Sequence, residues 1–324
     1  MRIHALQTGT VAIKEAQMEG RGRGLGRQVN MLRDTHWTEP LPIYAWAIEH
    51  PEGLIVIDAG ETARALEPGY FPGWHPFYRR GVREWVTAEE EIGPQLAAIG
   101  FTARDVRWLV LTHMHTDHAG GLYHFPGTEI LVTRKEYQTA RSLGGRLFGY
   151  LPQHWPDWFA PRQIDFLPQS YGPFPAHFSL TQAGDVVLVS TPGHSAGHLS
   201  IILREGEQSI FFAGDTSYTQ QLMLDGKIDG VSASDTIARQ TLQHIQVYTR
   251  GTPTVYLPSH DPASAMRLAG LQTIAYTAQD AWHGDNSVQS RPAETTRTQN
   301  ENASTTEKPA EAVHTLESAP RDHQ

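Results

Sequence analysis

The stretch His113-Met114-His115-Thr116-Asp117-His118 packs four potential metal ligands into six positions. It follows the apolar run Trp108 to Leu111 and precedes Ala119-Gly120-Gly121. Side chains alternate along a strand, so His113 and His115 can point the same way at its end. Asp117 and His118 come where the chain turns, and the small residues after them let the backbone bend toward a helix. So many ligands in one stretch do not suit a single tetrahedral zinc that uses them all. They suit two adjacent divalent ions sharing the cluster. A histidine-rich surface turn is the plain alternative, and the position between an apolar strand and a Gly-Gly bend argues against it.

Three later positions extend the set. His194 lies in Thr191-Pro192-Gly193-His194-Ser195-Ala196-Gly197-His198, Asp215 in Ala213-Gly214-Asp215-Thr216-Ser217-Tyr218, and His260 in Leu257-Pro258-Ser259-His260-Asp261. Each follows an apolar run and sits in a Gly, Pro or Ser turn, where strand ends place functional side chains. Alone, His194 or His260 would more often be structural. With the first cluster, in this order, they form a set. The chain has no cysteine, which removes disulfides, thiolate nucleophiles and Cys-based zinc sites.

Something must position these residues, and the rest of the chain reads as alternating strands and helices, an α/β layering. Ile43 to Ile48 and Leu54 to Ile57 read as neighbouring strands, the second ending in Asp58-Ala59-Gly60. Thr87 and Glu90 form a capping box ahead of Ile92, Leu96 and Ile99 at helical spacing, with Gly100 as the stop. Further strands are expected at Glu129 to Val132, Val186 to Val189, Leu199 to Leu203, Ile210 to Phe212 and Val255 to Leu257. Helices are expected at Arg134 to Leu143 and Asp235 to Tyr248. Arg21 to Arg27 and the aromatic, Gly- and Pro-rich Gly69 to Trp85 read as loops, either covering a site or lying irregularly on the surface.

Beyond Trp282 no aromatic residue occurs and Thr, Glu, Ala, Pro, Asn and Gln dominate. The expected organisation is one large domain over 1–282 and a polar, disordered tail over 283–324. The tail's Asn302-Ala303-Ser304 sequon reads as bland. The 324 residues carry a formal net charge of −9, so no nucleic-acid or membrane partner is expected. The N-terminus shows neither a long apolar segment nor a small-residue cleavage site, and a cytoplasmic location is expected.

The ordered set of His113, His115, Asp117, His118, His194, Asp215 and His260 resembles the metallo-β-lactamase-fold hydrolase superfamily, over roughly Ile43 to Asp261. Ile57-Asp58-Ala59-Gly60 matches that family's early strand-end motif, where the Asp supports the metal loop. The resemblance implies an αβ/βα four-layer sandwich. It also implies one ion on His113, His115 and His194, a second on Asp117, His118 and His260, and Asp215 between them. The ions would be zinc, with iron, cobalt or manganese as alternatives. An Asp rather than a Cys at 215 differs from the antibiotic-cleaving members, and His rather than Glu at 115 from the flavodiiron branch. His198 is left as a supporting or structural residue.

Two ions with a shared water would supply a hydroxide nucleophile near neutral pH and polarise a carbonyl or phosphoryl oxygen. Asp117 is the candidate proton shuttle. Asp215-Thr216-Ser217-Tyr218-Thr219 is similar to the Asp-Ala-Ser-Tyr-Thr segment of N-acyl-homoserine lactonases, which implies that Tyr218 supports the lactone oxygen as charge develops. Ser259-His260-Asp261 departs from their Gly-His-Asp. The expected activity is lactone opening on a small-molecule substrate, with a homodimer as one possible assembly. The competing expectations are a glyoxalase II-like thioesterase, a phosphotriesterase-like or RNase Z-type hydrolase, a mononuclear iron persulfide dioxygenase, and a non-catalytic metal-binding module. Trp37, Trp74, Phe77, Phe148, Tyr150, Trp155, Trp158 and Phe159 are the aromatics available to line an acyl-chain trough.

Overall fold

Two apolar faces on most strands mean that each sheet must be covered on both sides, and the strands here read as nearly continuous apolar runs. A computed structural model of the chain describes residues 1–276. The first sheet contains β1 (Arg2–Ile13), β2 (Leu41–His50), β3 (Gly53–Ile57), β4 (Val82–Trp85), β5 (Val106–Val110), β6 (Glu129–Thr133) and β7 (Arg162–Ile164), in the order β4-β1-β2-β3-β5-β6-β7. The second contains β8 (His177–Ser179), β9 (Val186–Ser190), β10 (Leu199–Glu205), β11 (Gln208–Gly214) and β12 (Thr254–Pro258), in the order β12-β11-β10-β9-β8. Pairing is antiparallel from β4 to β3 and parallel from β3 to β7. In the second sheet only β11 and β12 run parallel.

The strand period of two sorts side chains between layers. Trp46, Ile48, Ile55, Ile57 and Val110 meet Leu188, Ile201, Phe212 and Leu257 in the core between the sheets. Their neighbours Ala45, Ala47, Val56 and Leu109 face outward, against Ile92 and Leu96. On the other side, Val187, Val189, Ile202 and Phe211 pack against Ala238, Leu242 and Ile245. The result is the expected αβ/βα four-layer sandwich.

The helices, in chain order, are α1 (Glu15–Met18), α2 (Leu25–Arg33), α3 (Pro76–Arg80), α4 (Ile92–Ala98), α5 (Thr116–Ala119), α6 (Arg134–Arg141), α7 (Gln220–Leu224), α8 (Asp235–Gly251) and α9 (Ser264–Ala269). The Thr87–Glu90 capping box is formed, but it closes a 3-10 turn over Ala88–Glu90, and the helix proper starts at Ile92. The expected strands and helices are present within a few residues of their bounds.

Two segments expected to be loops contain regular structure. Arg21 to Arg27 runs into α2, whose Arg27 is fully buried and pairs with Asp235 at 2.9 Å. Gly69 to Trp85 holds α3 and β4, and β4 zips onto β1 through Thr10↔Trp85 to Ile13↔Val82. The cause is tertiary in both cases: a half-buried ion pair and an unfilled sheet edge order chain that local pattern leaves open. Among the described residues no helix is long and apolar enough to cross a membrane. The boundary at 282 and the tail over 283–324, with Asn302, lie outside the described residues.

Candidate metal centre

The carboxyl ends of β3, β5, β11 and β12 and the turn between β9 and β10 open onto one point. Past β5, the ladder continues through Leu111 N–H to Leu131 O at 2.9 Å, and then the chain breaks into α5. Asp58, just after β3, stops it there: its carboxylate accepts from Thr112 N at 2.7 Å and Thr112 Oγ1 at 2.9 Å. Asp58 itself sits at φ 60°, a strained conformation that Asp tolerates better than most residues. Its Oδ2 also lies 2.8 Å from His118 Nδ1, the supporting role that the strand-end motif implied.

All seven expected ligands come together. His113 Nε2 and His194 Nε2 each lie 3.0 Å from His115 Nδ1. Asp215 Oδ2 is 3.5 Å from His194 Nε2, while its Oδ1 is 3.3 Å from His118 Nε2 and 3.4 Å from His260 Nε2. Asp117 Oδ2 stands 3.2 Å from His260 Nε2. Asp215 thus straddles two groups, His113/His115/His194 and Asp117/His118/His260, each close enough to hold one ion.

The rear nitrogen of every histidine is taken by an acceptor. His194 Nδ1 faces Asp229 Oδ2 at 2.8 Å, His260 Nδ1 faces Pro42 O at 2.9 Å, and His115 Nε2 faces Phe148 O at 3.1 Å. His113 Nδ1 faces Thr112 Oγ1 at 3.1 Å, and that hydroxyl already gives its proton to Asp58. Each rear nitrogen therefore carries an N–H, and the front nitrogen of each neutral imidazole presents a lone pair. Three lone pairs about 3 Å apart repel, and a cation among them removes the repulsion. His118 Nε2 and Asp215 Oδ1 are buried without a hydrogen-bond partner among the described residues. The donor set fits divalent metal ions.

The electrostatics agree. Burial, then the neighbouring imidazoles, push His113 well below the usual histidine range, and burial with His194 lowers His115 to about 4. Both imidazoles are neutral at physiological pH. Burial alone would raise Asp117, yet His118 and His260 bring it down to about 2. Burial opposes charge on His260 too, but Asp215 and Asp117 carry it up to about 10. The carboxylates stabilise positive charge where the front nitrogens converge.

Several supporting groups were invisible in the sequence. Fully buried Glu136 on α6 accepts from Met114 N at 3.1 Å and Tyr150 OH at 2.7 Å through Oε1. Through Oε2 it accepts from Ser195 Oγ at 2.8 Å and Gly197 N at 3.0 Å. It ties the His113–His118 loop to the His194–His198 loop. His198, held neutral near 3 by burial and His194, accepts from Asp215 N at 3.0 Å. Gly214, at φ 57°, passes so close that a Cβ would stand 2.6 Å from His198 Nε2, so the turn that aims Asp215 requires glycine. Only the Gly-His spacing hinted at His198; Asp229 and Glu136 had no signal.

Tyr218 is 3% exposed, with its ring stacked on His260 at 5.6 Å between centroids. A cavity of about 300 Å³ opens beside it, lined by His115, Asp117, Asp215 and His260 together with apolar Val11, Ile13, Met31 and Leu32. Of the aromatics considered for a trough, Phe77, Phe148 and Tyr150 line this cavity. Trp155 and Phe159 pack with Tyr137 in the first sheet's outer core, and Trp37 is covered by Lys14 and Arg83. Trp74 and Trp158 are exposed.

Residues 38–260 match the profile of the metallo-beta-lactamase superfamily. The N-acyl homoserine lactonase AttM of Rhizobium radiobacter is 26% identical over 277 residues, spanning 81% of this chain and 94% of its own. An N-acyl homoserine lactonase of Bacillus thuringiensis is 29% identical over 184 residues, 56% of this chain and 66% of that relative. A solved N-acyl homoserine lactone hydrolase, with the product N-hexanoyl-L-homoserine at its catalytic metal center, has a TM-score of 0.66 at 22% identity. That similarity covers 80% of this chain and 93% of the other.

Proposed function

The chain belongs to the metallo-beta-lactamase superfamily, and from that premise we propose that it is a metal-dependent hydrolase that opens the ring of N-acyl homoserine lactones. One observation carries the reading: the front nitrogens of five histidines converge on Asp117 and Asp215 beside a buried phenol, at the head of an apolar cavity. The names of the relatives that span most of the chain support the substrate.

In this reading His113, His115 and His194 would hold one ion, Asp117, His118 and His260 the other, with Asp215 serving both; zinc suits the His- and carboxylate-rich donor set. Two bound ions would acidify a shared water and polarise the lactone carbonyl. The chain's own groups do the rest. Asp117, ionised at neutral pH, takes a proton on the attacking side and returns it to the ring oxygen as the ester C–O bond breaks. Burial, with Asp215 and Asp229 nearby, keeps Tyr218 protonated far above neutral pH. Its O–H therefore donates to the carbonyl oxygen as negative charge builds there. Val11, Ile13, Met31 and Leu32 exclude water and receive an acyl chain.

The test is lactone hydrolysis followed by titration of released acid on purified protein, with metal content measured on the same sample. Ring opening of an acyl-homoserine lactone with about two metals per chain, as a two-metal site requires, is the expected result. Two metals with thioester or phosphoester turnover and none on lactones would overturn the substrate. A single iron would overturn the hydrolytic mechanism.

A further inference from the structure

Between β1 and β2 the chain makes an excursion, Lys14 to Thr38, that includes α1 and α2. Gln17 of α1 is 4% exposed and lines the cavity. Its main chain is held at both ends: Gln17 N–H donates to Lys14 O at 2.8 Å, and Gln17 O accepts from Gly230 N at 2.7 Å. The side chain therefore extends from a pinned backbone. Nε2 donates to Tyr218 Oη at 3.0 Å, across 201 positions of sequence. Oε1 is buried and has no hydrogen-bond partner among the described residues.

These two facts bear on one substrate. Because Tyr218 Oη accepts from Gln17, its own proton is free to point along the cavity toward a carbonyl. A buried amide oxygen without a donor is costly, and Gln17 lines the cavity, where a ligand can supply the donor. The carboxamide's oxygen lies beside its nitrogen, so this buried, unpaired acceptor sits next to the phenol. A substrate that offers a carbonyl to Tyr218 and an N–H on the adjoining carbon satisfies both groups at once. An acylamino lactone has that arrangement, whereas an alkyl lactone has the carbonyl alone.

We propose that Gln17 Oε1 accepts the amide N–H of the lactone's acylamino substituent, which makes Gln17 the residue that selects amide-bearing lactones over plain alkyl lactones. The assignment rests on the lactonase reading above. It places the specificity element in the N-terminal excursion, outside the strand ends that carry the metal ligands.

The experiment compares kcat/KM for N-hexanoyl-homoserine lactone with that for an alkyl γ-lactone of matched length, on metal-loaded wild type, Gln17→Leu and Gln17→Asn. The ratio within one preparation is independent of the fraction that folds or loads metal. Wild type should favour the amide-bearing lactone, and both variants should cut that preference by about tenfold or more, since an acceptor built for a substrate N–H is what discriminates. Gln17→Asn retracts the carboxamide without adding apolar volume, so it serves if Gln17→Leu folds poorly. Equal losses on both substrates would mean that Gln17 serves Tyr218 alone, overturning the proposal and leaving the lactonase reading standing. Wild type inactive on both lactones would overturn the two together.

Discussion

Asp229 holds Oδ2 2.8 Å from Nδ1 of His194, while its Oδ1 accepts from Val231 N at 3.0 Å and Ser232 N at 2.6 Å. The carboxylate is thereby oriented by its own loop and in turn fixes the tautomer and tilt of a candidate ligand 35 positions away. The same loop docks on Gln17 through Gly230.

Asp229→Ala should lower metal affinity by about 10- to 100-fold, the usual cost of removing a ligand's supporting carboxylate. Competition with a chromophoric chelator reads this directly. Unchanged affinity would mean that His194 is held by packing alone.

Glu136→Ala strands four donors, Met114 N, Tyr150 OH, Ser195 Oγ and Gly197 N, in a fully buried place. Unfolding in urea should show a loss of roughly 3 kcal/mol or more. Metal affinity should fall too, because both ligand loops lose their tie. A variant as stable as wild type would show that water replaces the carboxylate.

Tyr218→Phe keeps the ring that stacks on His260 and removes the hydroxyl. Lactone kcat should drop by about 100-fold, as for other lost oxyanion donors, with metal content unchanged. An undiminished kcat/KM would take Tyr218 out of the mechanism.

Glu61 is fully buried, and burial pushes its carboxyl up to about 8, with Thr62 N–H opposing and Asp117 adding to the rise. For an acid raised on folding, both states are protonated below the ordinary value of 4.5, and nothing is lost there. Above it the unfolded chain ionises first, so stability falls as pH climbs toward about 8. Glu61→Gln should therefore gain stability over wild type at pH 8 and little at pH 5. Urea midpoints at the two values decide it, and an equal difference at both would refute the raised carboxyl.

The sequence alone determined the strands with two apolar faces and the His and Asp residues at their ends. Val186 to Val189, Ile210 to Phe212 and Val255 to Leu257 are short, β-branched or aromatic, and bounded by turn residues, so local pattern suffices to find them. His113 to His118 is legible because it lies between an apolar run and a Gly-Gly bend, although β5 ends at Val110 and the turn into α5, rather than strand alternation, places its side chains. β1 escaped notice because Thr8-Gly9-Thr10 interrupts its apolar pattern and its register shifts between Gln7 and Thr10. The rear shell escaped altogether. Asp229, Glu136, Pro42 O, Phe148 O and Gln17 act through contacts between segments 22 to 218 positions apart, and such partners leave no period in the sequence. A turn motif can place a histidine at a strand's end; which of its nitrogens carries the proton depends on what the packed fold puts behind it.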